Sequence, residues 1–131
     1  MKSRILFISG RKEDARRLSA MLHTLPLKLH HASSLLKART RLHQHNYNVI
    51  LTEAALPDGK WLDVLELARD CPKETEVIVT DPLADASFWA EALNRGAYDL
   101  LAQPFYEPEV RRILYNACSR GSSQSYGMAA V

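Results

Sequence analysis

Five short apolar runs alternate with segments of helical periodicity along the chain, and this alternation constrains its fold more than any other feature. The runs are Ile5 to Ile8, Leu27 to His31, Val49 to Leu51, Val77 to Val79 and Tyr98 to Leu101. After the first run, Leu18, Leu22 and Leu25 share one helical face. Continuous runs rich in Ile and Val are typical of parallel strands buried on both faces. We therefore predict an α/β fold around a five-stranded parallel sheet.

The number of strand–helix units selects one architecture among the α/β folds. A barrel needs eight units and more chain than 131 residues. Five units fit a doubly wound, flavodoxin-like (βα)5 sheet with strand order 2-1-3-4-5. We assign residues 1–119 to this single domain. From residue 120 onward the chain has little periodicity, and we predict that residues 120–131 form a flexible C-terminal tail.

Composition and charge exclude several classes of function. The chain is 47% hydrophobic and 24% charged, as in ordinary soluble domains, and its net charge of +2 is too small to argue for a nucleic-acid or membrane surface. The apolar runs are too short for a membrane span or a signal peptide. Cys71 and Cys118 lack metal-site spacing. We expect reduced thiols in a cytoplasmic protein.

A ligand crevice is expected where the central strands end. In an open parallel sheet, ligands bind outside the carboxyl ends of the strands, next to the first strand. The residues at these ends are Ser9 and Gly10, Thr52 and Glu53, Thr80 and Asp81, and Gln103, Pro104 and Phe105. Any chemistry of the domain should therefore involve these positions.

Four blocks of the sequence, in this order and at this spacing, resemble the receiver domains of two-component response regulators. The blocks are Ile5 to Gly10, Asn48 to Gly59, Val77 to Asp85, and Gly96 to Phe105. The resemblance covers residues 4–118. In that family an Asp at the end of the third strand accepts a phosphoryl group from a histidine kinase, and two acids after the first strand hold Mg²⁺. A Ser or Thr ends the fourth strand, and a Lys precedes the proline after the fifth.

The metal and acceptor positions of that family are altered here. Ser9 and Gly10 stand where the family has its acid pair and offer no carboxylates to Mg²⁺, a cation that prefers oxygen anions. Glu53 stands at the phosphoacceptor position and is one methylene longer than Asp. A displacement of about 1 Å can cost about a hundredfold in rate. We expect that Mg²⁺ binding is lost and that the domain has no cofactor.

The remaining family positions are altered as well. Asp81 takes the hydroxyl position in the register that we prefer, with Thr80 as the alternative, and neutral Gln103 replaces the lysine. Leu100 stands at the switch position, which is often aromatic. Pro104 matches the family's proline, and the resemblance implies a cis bond before it. We therefore predict a degenerate receiver, or pseudo-receiver, with impaired or absent phosphorylation.

The predicted crevice contains an electrostatic conflict. Glu53 and Asp81 should face one another without Mg²⁺ or lysine between them, and close like charges raise a pKa or recruit a cation. Arg11 and Lys12 follow the first strand. Either one of them pairs with Glu53, as a charged surrogate of the phosphorylated acceptor, or both extend into water. The sequence leaves these two alternatives open.

The predicted function is binding to signalling proteins rather than catalysis. We expect a stand-alone, non-enzymatic module that contacts a histidine kinase or a downstream partner. Trp89, Tyr98 and Tyr106 mark a candidate interface on the side of the fourth helix, fifth strand and fifth helix, where the resemblance implies homodimerisation or output contacts. The alternative for Trp89 is an ordinary half-buried side chain that covers the sheet.

Two other functions remain as alternatives, and one group of residues is set aside. A substitute carboxylate, Asp58 or Asp81, would accept phosphate in a phosphotransfer-competent receiver. A small-ligand sensor would use the altered crevice. The adjacent pair His30 and His31 lacks the spacing of metal ligands, and we interpret these histidines as surface polar residues.

Overall fold

The chain forms a parallel sheet whose strand order is that of a doubly wound fold. The structure is a computed structural model that describes residues 3–83 and 85–130, with side chains only up to residue 119. Its strands are β1 (Ser3–Ile8), β2 (Leu27–Ala32), β3 (Val49–Glu53), β4 (Ala55–Leu56), β5 (Gly59–Lys60), β6 (Glu76–Asp81) and β7 (Asp99–Ala102). The main sheet has the order β2-β1-β3-β6-β7, all parallel, and β4 and β5 form a separate antiparallel hairpin. The predicted five-stranded, flavodoxin-like sheet is confirmed.

Five helices cover the two faces of the sheet. They are α1 (Lys12–Leu22), α2 (Leu35–Gln44), α3 (Trp61–Arg69), α4 (Ala86–Asn94) and α5 (Glu107–Ala130). Buried residues of α1 and α5 form one core with Ile5, Phe7 and Leu51. Buried residues of α2, α3 and α4 form a second core with Leu6 and Ile50. Successive residues of a strand thus pack into opposite cores, which explains why β1 and β3 each contain an apolar run without a polar position.

Helix ends follow local hydrogen-bonding rules. Ser34 begins α2, and its Oγ accepts a hydrogen bond from the backbone N–H of Lys37 at 3.2 Å. Asp85 begins α4 in the same way, with its Oδ1 accepting from the N–H of Phe88 at 2.8 Å. These side chains satisfy amide groups that a helix leaves without a partner in its first turn. Gly96 follows α4 with a φ of 111°, a backbone angle that favours glycine.

The last helix is longer than expected. It continues through Ala130, so the backbone is helical in the segment that we predict to be a tail. The side chains of residues 120–130 and the whole of residue 131 lie outside the described structure, and the domain boundary at residue 119 stays a prediction. No helix in the described part of the chain has the length and hydropathy needed to cross a bilayer.

Candidate functional site at the carboxyl edge of the sheet

Glu53 lies at the centre of the carboxyl edge, on the strand between β1 and β6. Its Oε1 accepts a hydrogen bond from the backbone N–H of Gly10 at 3.3 Å. A Cβ added to Gly10 would lie 3.5 Å from Cγ of Pro57, which is ordinary van der Waals contact. Packing therefore does not require a glycine at position 10. This glycine stands where the family resemblance implies an acidic residue.

Ser9 uses its hydroxyl group within its own turn. The side chain is fully buried, and its Oγ accepts a hydrogen bond from the backbone N–H of Arg11 at 3.0 Å. The carbonyl oxygen of Ser9 lies 2.8 Å from Nε2 of His31, which joins the end of β1 to the end of β2. His30 and His31 are both half-buried and both have a hydrogen-bond partner, so their interpretation as surface residues is wrong. A sequence with two adjacent polar histidines carries no signal of these partners.

Thr80, and not Asp81, lies beside Glu53. The sheet register pairs Thr80 with Glu53 across β3 and β6. Thr80 is fully buried, and its Oγ1 donates a hydrogen bond to the carbonyl oxygen of Leu101 at 2.7 Å. Oδ1 of Asp81 instead accepts from the N–H of Leu83 at 2.8 Å, within the loop after β6. The expected register, with Asp81 at the hydroxyl position, is therefore corrected.

The alternation of side chains along β6 explains this correction. Ile78 packs into the core under α1 and α5, whereas Val79 packs into the core under α2, α3 and α4. Thr80 therefore projects toward the first face and Asp81 toward the second. Glu53 projects toward the first face by the same alternation along β3. The predicted confrontation of two carboxylates does not occur.

Arg11 and Lys12 do not pair with Glu53. Within the described residues neither side chain forms an ion pair with the Glu53 carboxylate, and both are exposed. The pairing hypothesis is therefore wrong, and the alternative of solvated side chains is correct. The physical reason is that the Glu53 carboxylate accepts a backbone N–H and that Asp81 projects to the other face of the sheet, so the expected repulsion between these two carboxylates does not arise.

Gln103 and Pro104 follow the end of β7 at the same edge of the sheet. The peptide bond between them is cis, as the resemblance implies. Nε2 of Gln103 and Oδ2 of Asp14, in the first turn of α1, are the buried side-chain atoms of the described structure that have no hydrogen-bond partner. Buried polar atoms without partners are uncommon in proteins. No sequence pattern singled out Asp14, because an acid in the first turn of a helix is ordinary.

The donor set of the crevice does not fit a resident Mg²⁺ ion. Mg²⁺ is held by carboxylates in octahedral geometry. Here Ser9 engages its hydroxyl with Arg11, Gly10 has no side chain, and Glu53 supplies the one carboxylate of the three positions. Among the described residues, no three His, Cys, Asp or Glu side chains are grouped to hold a metal ion.

Asp58 caps a helix rather than facing the crevice. Its Oδ1 and Oδ2 accept hydrogen bonds from the backbone N–H groups of Leu35 and Leu36, at 2.7 and 3.0 Å. These two bonds lower the pKa of the Asp58 carboxyl group, because they stabilise its charged form. Both oxygens are therefore engaged with α2, which argues against the use of Asp58 as a substitute phosphoacceptor.

The predicted interface residues differ in their exposure. Trp89 on α4 is 48% exposed and Tyr106 before α5 is 66% exposed. Tyr98 is half-buried against the α1 and α5 core, on the face of the sheet opposite α4. Leu100, which we predict to be at the switch position, is half-buried in the other core. Trp89 and Tyr106 are thus accessible to a partner, whereas Tyr98 is largely a packing residue.

The comparisons with known proteins agree with this architecture. No family model matches the chain. It is similar to the response regulator protein PilR of Pseudomonas aeruginosa, with 23% identity over 116 residues, or 88% of this chain and 26% of PilR. The chain thus spans about a quarter of the length of that relative.

Two solved structures resemble the chain over nearly its whole length. The Francisella response regulator 1452 receiver domain has a TM-score of 0.81 and 21% identity, covering 91% of this chain and 98% of that domain. The signal receiver domain of an HD domain-containing protein from Pseudomonas fluorescens Pf-5 has a TM-score of 0.83 and 25% identity, covering 95% and 92%. The chain therefore has the fold of response regulator receiver domains.

Proposed function

We propose that the chain is a receiver domain of two-component signalling that does not use ordinary aspartyl phosphorylation. The observation that carries this proposal is the contact of the Glu53 carboxylate with the backbone N–H of Gly10, where the family resemblance implies a second acid. This crevice has a glutamate at the acceptor position, Ser9 and Gly10 in place of the acid pair, and the uncharged amide of Gln103 in place of the lysine.

The chemistry of phosphoryl transfer supports the proposal. The transferred group spreads negative charge over three oxygens, and a metal ion with a lysine must neutralise that charge while a carboxylate attacks in line. Gln103 supplies no positive charge, and Arg11 and Lys12 extend into solvent away from Glu53. An incoming phosphoryl group would meet one carboxylate without a compensating cation.

The proposed output is binding to other signalling proteins rather than catalysis. Phosphorylation normally biases a two-state element that partners then recognise. In this chain that bias is absent or constant, and partners recognise a fixed surface. Exposed Trp89 and Tyr106 support a contact with a histidine kinase, a downstream protein or a second copy on the α4–β7–α5 side. Cys71 and Cys118 form no disulfide, which fits a cytoplasmic location.

Chemical phosphorylation tests the proposal directly. The protein is incubated with Mg²⁺ and acetyl phosphate, and its intact mass is then measured. We expect no phosphoryl adduct, and in a parallel beryllofluoride titration we expect no amide NMR shifts from Glu53 to α4. An adduct on Glu53 would overturn the proposal, and one mapped to Asp58 or Asp81 would establish the substitute-acceptor alternative.

A gain-of-function variant provides the matched control. Gly10→Asp, Glu53→Asp and Gln103→Lys together return an acid, the shorter acceptor and the ammonium group. The Cβ at position 10 has room beside Pro57, so this variant should fold. We expect it to gain an acyl phosphate under the same conditions. Failure of a folded variant to gain phosphate would show that restoring these three positions is not sufficient for the chemistry.

A further inference from the structure

Charge is strongly segregated along the chain, although the net charge is only +2. Residues 1–45 contain 10 of the 17 Lys and Arg residues, but only 2 of the 15 Asp and Glu residues. Within this segment, residues 3–44 contain β1, α1, β2 and α2, and β2 is the outermost strand of the sheet. The molecule therefore has a basic side at the β2 edge. Such a field concentrates anionic ligands.

A cleft lies on this basic side, where the start of α1, the end of β2 and the length of α2 meet. Its volume is about 380 Å³, within the range of small-molecule sites. Its lining includes the cationic side chains of Lys12, Lys37 and Arg41 and the hydroxyl groups of Ser33 and Thr40. No Asp or Glu residue lines it. The cleft is distinct from the crevice at Glu53.

The three cations of the cleft have no anionic partner within the described structure. Lys12, Lys37 and Arg41 form no ion pair there. The pKa of nearby His30 is lowered first by burial and next by the positive charge of Arg41. Lys28 lowers it further. An anionic ligand would therefore meet uncompensated positive charge.

The chemistry of the lining favours a phosphorylated ligand over a single carboxylate. Three cations match a ligand with at least two negative charges, and Arg and Lys with hydroxyl donors are the usual partners of phosphate oxygens. The first amide groups of α2 are not available, since Asp58 and Ser34 already accept their hydrogen bonds. Recognition would thus depend on side chains. We propose that this cleft binds a small phosphate ester or diphosphate.

The proposal gives the domain an input that does not depend on phosphorylation of Glu53. His31 lines the cleft, and its Nε2 contacts the carbonyl oxygen of Ser9 at the start of the crevice. A ligand in the cleft would therefore lie beside His31, which links the cleft to the end of β1 at the crevice. The inference stands on the cleft alone, and it holds whether or not the crevice accepts phosphate.

Binding of inorganic pyrophosphate tests the proposal. The whole chain is titrated without Mg²⁺ at low and at physiological salt, by calorimetry and amide NMR. We expect saturable one-site binding that weakens with salt, with shifts concentrated in residues 31–41 and at Lys12. Absence of binding at millimolar pyrophosphate would overturn the proposal. So would shifts centred on Glu53 and Gln103.

Two charge-matched double variants separate the cleft from general electrostatics. Lys37→Glu with Arg41→Glu should weaken pyrophosphate binding by about tenfold or more, because it reverses two of the three cations. Lys73→Glu with Arg112→Glu changes the net charge equally on exposed residues outside the cleft and should retain most of the affinity. Equal losses in the two variants would show binding to the general field and overturn the proposal.

Two further controls make the result unambiguous. If the double glutamate variant does not fold, Lys37→Gln with Arg41→Gln removes the same cations without adding acids. An RNA oligonucleotide tests the alternative of an extended polyanion surface. Pyrophosphate should displace any RNA bound at the cleft, whereas tight RNA binding that pyrophosphate does not displace would overturn the small-ligand proposal.

Discussion

The hydroxyl group of Thr80 should contribute measurably to stability, because the fold buries it beside Glu53. Thr80 is fully buried, and its Oγ1 donates to the carbonyl oxygen of Leu101 at 2.7 Å, joining β6 to β7. Thr80→Val keeps the shape of the side chain and removes the donor. Leaving a buried acceptor without its partner costs about 1–3 kcal/mol. The new buried methyl group returns about 0.8 kcal/mol.

The expected net effect is a loss of about 1 kcal/mol in the free energy of unfolding, about a fivefold change in the ratio of folded to unfolded protein. For a domain of this size the melting temperature should fall by about 4 °C. Urea unfolding followed by circular dichroism measures the change, and an unchanged slope would show that the unfolded state is unaffected.

Asp81→Asn is the matched control, because the Asn oxygen can still accept the N–H of Leu83. This variant should change the free energy of unfolding by less than about 0.5 kcal/mol. If Thr80→Val were as stable as the wild type while Asp81→Asn lost 1 kcal/mol or more, the strand register and the argument from alternating side chains would be refuted.

Three further predictions concern the loop after β3 and the two thiols. The pKa of Asp58 is lowered, so its charged form should stabilise the fold above its ordinary pKa of 3.8, and this stability should be lost as the pH falls through the lowered value. The difference in unfolding free energy between the wild type and Asp58→Asn should therefore disappear in acid. A constant difference across a series of unfolding measurements at different pH values would contradict this. Gly59→Ala should lower the free energy of unfolding by about 1 kcal/mol, because the new Cβ would lie 2.8 Å from Oδ2 of Asp63, the side chain that caps the start of α3. Urea unfolding measures this change, and an unchanged stability would refute the contact. Burial raises the pKa of Cys118 to about 11, so iodoacetamide at pH 8 should modify the partly exposed Cys71 before Cys118. Intact mass and peptide mapping follow the reaction, and equal rates of modification at the two cysteines would contradict the packing.

The fold was predictable because its signals are local and repeated. Runs such as Ile5 to Ile8 and Val49 to Leu51 are apolar at every position, which indicates burial on both faces, and the helices between them have one apolar stripe. The positions of Glu53, Gly10 and Gln103 in the crevice followed from the ends of the strands. Those positions required only the order of the elements, not their detailed register.

The register at β6 was not predictable from composition. Thr80 and Asp81 are adjacent, and a shift of one residue exchanges the two faces of a strand. Only pairing with β3 and β7 fixes which of them is buried. Side-chain direction on the first turn of α1 was also hidden, so the sequence did not show that Arg11 and Lys12 turn away from Glu53 while Asp14 turns inward.

The capping of α2 by Asp58 has a mechanical consequence. The carboxylate belongs to the loop that follows β3, whereas the amides that it holds belong to Leu35 and Leu36. Displacing that loop would break two hydrogen bonds at once, so the loop and α2 are tethered and should move together. A movement of this loop would therefore act first on the start of α2, which lies on the basic side of the molecule.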